Sequence, residues 1–163
     1  MTPVFKLLDL SRGNIVRDAW DKLARVPKGN VLYSRLLGRL IPYTGTIPSL
    51  VEELGGGKAT VSMRDVPGVR NHLRSIHAVA LANLGELATG LALNYMLPPR
   101  ARCILTALRM DYVKKARGQL RARAWFDIPE WGPHQEVHVR GEIVDPKGEV
   151  VAKVSATWLV DAL

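Results

Sequence analysis

Cysteine is all but absent: Cys103 is the one thiol in 163 residues, so no intramolecular disulfide can form and nothing points to an oxidising compartment. Aromatic residues are scarce at 6%, and Trp125 is the only one interleaved with the basic stretch around it, which argues against a stacking platform for nucleic acid. No cysteine or further histidine stands at ligand spacing from His134 and His138, so no metal site is expected. A leader peptide is not legible either, because Lys6 and Asp9 break the short amino-terminal apolar stretch and Arg12, Arg17 and Asp18 follow. The expectation is a cytoplasmic protein. Acid is in short supply as well, with 15 Asp and Glu against 23 Lys and Arg and a net charge of +8. That balance favours polyanionic partners: nucleic acid, an acidic membrane surface, or a phosphorylated small molecule such as a nucleotide or coenzyme A.

Hydrophobic residues at 47% and charged residues at 23% fit one globular domain with a substantial core. Asn14 is placed to cap a helix through about Arg25, with Ile15, Ala19 and Leu23 on one stripe. A second helix, about Val31 to Ile41, carries Leu32, Leu36 and Leu40 at helical spacing and stops at Pro42. Both read as amphipathic covers on a core, with membrane docking as the other use. Ile47–Leu54, Gly55-Gly56-Gly57 and Lys58–Asp65 read as a hairpin. A triple glycine also suits a phosphate cradle, but no helix opened by Lys-Ser/Thr follows it. After Pro98-Pro99 come four strands: Ile104–Val113, Leu120–Ile128, Gln135–Val144 and Glu149–Val160. In the second of them Leu120, Ala122, Ala124 and Phe126 alternate with Arg121, Arg123, Trp125 and Asp127. Strands interrupted by one long helix predict an α+β fold with an antiparallel sheet.

That helix is IHAVALANLGELATGLALNYML, residues 76–97. It has no lysine, arginine or aspartate and a single glutamate, Glu86. It is long enough to span a bilayer. A mid-segment carboxylate costs about 2.5–3.5 kcal/mol there, and His77, Asn83 and Asn94 add to the cost. A helix apolar on all sides and not in lipid is buried in its own protein. Glu86 is then paired, protonated or functional, and burial would raise its pKa toward that of a general base.

One local pattern carries a resemblance. Asn71-His72-x-x-Ser75-Ile76-His77-Ala78-Val79, then Leu84-Gly85-Glu86, resembles the signature of hotdog-fold acyl-CoA thioesterases of the phenylacetate-degradation type. Those enzymes carry a loop asparagine, then His-Gly-Gly opening the central helix, then an acid nine residues after the histidine. Met110-Asp111-Tyr112-Val113-Lys114-Lys115-Ala116-Arg117-Gly118 resembles their link between third and fourth strands. The resemblance implies a hotdog domain over 47–163, an antiparallel sheet wrapped around the 76–97 helix. Residues 1–46 would be a helical extension marking a less characterised branch.

It also implies a site. The Ala78 amide would be the oxyanion donor, Asn71 would orient carbonyl or water, and Glu86 would be base or nucleophile. Thr106 stands near the family's supporting hydroxyl. The acid and the oxyanion donor would come from opposite subunits of a homodimer, or of a homotetramer built from two. His77 would brace the helix start beside the substrate. Lys114, Lys115, Arg117, Arg121 and Arg123 would contact the phosphates of coenzyme A, which enters as part of the substrate and not as a cofactor, whereas a solvated charged face is the plainer reading of these five. The departure is Ala78-Val79 where the family has two glycines. It motivates the alternative of a non-catalytic acyl-CoA or acyl-group binding protein. A hotdog dehydratase fits less well, since its Asp-x-Asn-x-x-His pairing is missing from the loop before the helix.

Overall fold

The computed structural model describes residues 14–162. The amino-terminal stretch broken by Lys6 and Asp9, and with it the start of the 1–46 extension, lies outside the described residues.

Asn14 is the N-cap of α1 (Ile15–Leu23), its Oδ1 accepting from the Arg17 amide at 3.0 Å. Its Nδ2 donates to the carbonyls of Asn94 at 2.5 Å and Leu97 at 3.0 Å at the end of another helix, where the Asn94 carbonyl otherwise accepts only from the Leu97 cap amide. The buried face of α2 (Gly29–Leu40) differs from the leucine stripe expected of it. Tyr33 and Leu37 are buried, while Leu32 is 46% exposed. The cause is an aromatic pair: Tyr33 meets Trp20 of α1 edge-on, ring centroids 5.1 Å apart, and the larger rings set the rotation of the helix.

Strands β1 (Ser49–Gly55) and β2 (Lys58–Met63) form the hairpin, with Gly56 and Gly57 both left-handed at φ +57° and +71°. The triple glycine is therefore a two-residue hairpin turn and not a phosphate cradle. β1 starts later than Ile47 because Thr44–Thr46 form a single 3₁₀ turn and Pro48 follows. The long apolar segment becomes α3 (Ala78–Met96), after which come β3 (Arg102–Tyr112), β4 (Leu120–Trp125), β5 (Gln135–Val144) and β6 (Val150–Asp161).

All six strands join one antiparallel sheet in the order β1-β2-β4-β5-β6-β3, and α3 packs into its concave face. Two glycines let the sheet approach the helix backbone. A Cβ on Gly85 would lie 3.2 Å from Val154, and one on Gly90 would lie 3.1 Å from Trp158. Leu84, Ala88, Ala92 and Leu93 are fully buried, so this helix is the core of an α+β hotdog fold. Among the described residues no helix is long and apolar enough to cross a membrane.

The two edges of the sheet are treated differently. α2 covers β1, and its Ser34 hydroxyl accepts from the Val51 amide at 2.9 Å. Among the described residues β3 has no strand on its outer side, and it carries Ile104 at 62% exposure.

Candidate active site

The start of α3 is where unsatisfied backbone donors collect. His77 is the N-cap, and its Nδ1 accepts from the Val79 amide at 3.1 Å, while its own N–H donates to Val69. Among the described residues the amides of Ala78 and Ala80 have no partner. Free amides at a helix N-terminus, aided by the dipole, favour negative charge. Asn71 braces the loop just before them, its Oδ1 accepting from the Leu73 amide at 2.9 Å and from both amide and hydroxyl of Ser75 at 3.2 Å. Tyr112, at the end of β3, donates its hydroxyl to the Ala78 carbonyl at 3.0 Å.

These groups border a shallow, open cleft of about 240 Å³ lined by Asn71, Ser75, Ala78, Tyr112, Lys114 and Lys115, among others. Val79 does not line it and is 53% exposed, so the branched side chain in place of the second glycine leaves the cleft open.

Glu86 lies two turns further along, half-buried, its carboxylate without a hydrogen bond among the described residues. Burial pushes its carboxyl above the ordinary value of 4.5. Its surroundings are Gly90, whose Cβ would stand 3.7 Å from Glu86 Oε1, and the Trp158 indole stacked against the same glycine. The Trp158 Nε1–H is buried with no partner among the described residues. Cys103 is close as well: burial pushes its thiol up, the Asn94 hydrogen bond opposes that, and the Glu86 charge adds to it. With 1.5 Å of rise per residue, Glu86 is about 12 Å along the axis from Ala78.

The other expected residues separate. Thr106 sits at a bulge in β3, exposed, its hydroxyl donating to the Thr157 carbonyl at 3.0 Å, and it does not line the cleft. Lys114 lines the cleft but is held by Asp145 at 2.8 Å and by Glu149, and those hydrogen bonds raise its pKa. Arg117 donates to the Arg74 carbonyl at 3.4 Å. Arg121 pairs with Glu52 at 2.7 Å and Arg123 with Glu142 at 3.8 Å, both away from the cleft. Lys115, exposed and without an ion pair among the described residues, is the cation left to the cleft. His138 faces the Thr157 hydroxyl at 3.1 Å.

Tyr112 and Trp158 were not among the expected site residues. Tyr112 lies inside the segment shared with the thioesterases, and Trp158 is on the inward phase of β6, so each left a faint signal.

The family described as a domain of unknown function, DUF4442, matches residues 29–160. No curated protein matches the chain. Among solved structures, the structural-genomics protein APC5556 is 26% identical with a TM-score of 0.79, covering 91% of this chain and 99% of its own. PA5026 from Pseudomonas aeruginosa, described as a probable thioesterase, is 24% identical with a TM-score of 0.71, covering 85% and 97%. A point variant of the phenylacetic acid degradation protein PaaI from Thermus thermophilus is 23% identical with a TM-score of 0.63, covering 72% and 97%.

Proposed function

The chain belongs to the DUF4442 family, and from that membership, its hotdog fold and the helix-start cleft we propose that it is an acyl-CoA thioesterase working as a homodimer. Proteins of the same fold described as thioesterases support the reaction class. The observation that carries the reading is the pairing of two unsatisfied groups on α3, the free Ala78 amide and the half-buried Glu86 carboxylate.

The thioester carbonyl oxygen accepts from the Ala78 N–H, which stabilises the oxyanion as it develops. Glu86 of the partner subunit takes a proton from water, and the hydroxide attacks the carbonyl carbon. The tetrahedral intermediate collapses, the C–S bond breaks, and the protonated Glu86 returns its proton to the departing coenzyme A thiolate. A carboxyl pushed upward by burial is suited to both transfers. Tyr112 fixes the first turn by holding the Ala78 carbonyl. Lys115 faces the phosphates of coenzyme A at the cleft mouth.

The free edge supports the dimer. Alternate residues along β3 turn their backbone groups outward beside exposed Ile104, and a second copy pairing there extends the sheet across both subunits. This places two central helices side by side, so that the acid of one reaches the helix start of the other.

A second reading, an acyl-CoA binding protein without turnover, rests on the Ala78 Cβ in a cleft where the related enzymes have glycine. Hydrolysis of a panel of aliphatic and aromatic acyl-CoA esters decides between them. The thioesterase reading expects turnover of at least one ester, abolished in Glu86→Gln while the dimer persists. Stabilisation by esters with no hydrolysis would establish the second reading.

A further inference from the structure

A larger cavity, of about 760 Å³, opens between α2 and the β1–β2 hairpin and shares no residue with the helix-start cleft. Arg35 and Arg39, one helical turn apart on α2, line its open side together with Arg64 just beyond β2, all three solvent-exposed. Ser34, Ser62 and Gln119 add hydroxyl and amide groups, and no carboxylate is present in the lining. Ser62 is only 2% exposed although it is polar. One wall is formed where α2 touches the following 3₁₀ turn. A Cβ on Gly45 would fall 2.4 Å from the Gly38 carbonyl oxygen, so that approach is open only to glycine.

Among the described residues none of the three arginines has an acidic partner. Glu52 on β1 and Asp65, the residue after Arg64, are paired elsewhere, with Arg121 and with Arg70 at 2.6 Å. Like charges one turn apart on a helix repel, and a third guanidinium brought to the same cavity adds to the cost. An anion relieves it. Guanidinium forks hold phosphate oxygens two at a time, and the volume suits a phosphate with an organic body attached, within the roughly 300–1,000 Å³ usual for small-molecule sites.

We propose that this cavity binds a phosphorylated small molecule of nucleotide size, with Arg35, Arg39 and Arg64 on its phosphate. The site is independent of the thioesterase reading and survives its failure. Calorimetric titration of the full chain with ADP, with pyrophosphate, and with phosphatidylglycerol vesicles tests it, alongside the variants Arg39→Gln and Arg39→Gln/Arg64→Gln. ADP and pyrophosphate are both expected to bind the wild type. Loss of one charge-assisted contact should weaken binding roughly tenfold or more, and the double variant further. The ligand-free melting temperature of the arginine variants should hold or rise, since repulsion is removed; a fall would mark the arginines as structural and count against the site. Failure of both small phosphates to bind, or equal binding by the double variant, overturns the proposal. Binding of vesicles alone overturns it too, in favour of a membrane surface.

Discussion

Glu86 and Ala78 stand on one helix, eight residues and about 12 Å apart along its axis. A water held by Glu86 therefore cannot attack a carbonyl bound at the Ala78 amide of the same chain. Two unsatisfied groups that cannot meet within one subunit are suited to meeting across two.

Ala78→Pro isolates the amide. Proline is accepted at the first helical position, and His77 before it already has the extended backbone, φ −66° and ψ 141°, that a following proline requires. The variant loses one N–H and little else. Acyl-CoA hydrolysis should fall by roughly 10²–10³ in kcat, with the melting temperature within about two degrees of wild type.

Glu86→Gln should stabilise the protein as it inactivates it. Burial raises the Glu86 pKa, so the folded chain binds a proton more tightly than the unfolded chain. Stability from this group is full below the unfolded pKa, near 4.5, and is lost as pH rises through the higher folded value. Melting curves from pH 4 to 8 should show wild type losing ground to Glu86→Gln as pH rises. The rate of hydrolysis should fall on the acid side at a pH above that of an ordinary glutamate, because the base must be ionised.

Cys103 reports on the same carboxylate. Its thiol is pushed up by burial and further by the Glu86 charge. Alkylation by iodoacetamide should be slow at pH 7.5 in wild type and faster in Glu86→Gln, where the charge is gone.

The free β3 edge predicts the assembly. Ile104→Lys puts a charge on the exposed face of the proposed strand pairing. Light scattering coupled to size exclusion should show monomers, and hydrolysis should be lost with Glu86 and Ala78 both intact.

Asn14→Ala should cost about 2–4 kcal/mol, summing a lost N-cap and buried carbonyls left unpaired. Urea denaturation measures it. This residue marks a limit of sequence reading. Its capping of α1 is legible in the three residues that follow it, but its bonds to Asn94 and Leu97 reach across half of the chain and carry no periodic trace. The strands are legible because Leu120, Ala122 and Ala124 alternate with charge, and Glu86 is legible because nothing else in its helix is an acid. The face of α2 is not, since Tyr33 and Leu32 are adjacent and only contact with Trp20 decides between them. The basic cluster misleads for a similar reason. Lys114, Arg121 and Arg123 are near in sequence, yet each is drawn to a carboxylate supplied by another strand or turn.

Mixing two inactive variants puts the shared site to the most direct test. Glu86→Gln and Ala78→Pro chains, unfolded together and refolded at equal concentration, should give hybrid dimers with one intact site, formed by the Glu86 of one chain and the Ala78 amide of the other. Random pairing in a two-fold dimer predicts recovery of about a quarter of wild-type acyl-CoA hydrolysis. No recovery from a mixture shown to contain hybrid dimers would contradict a site shared between subunits.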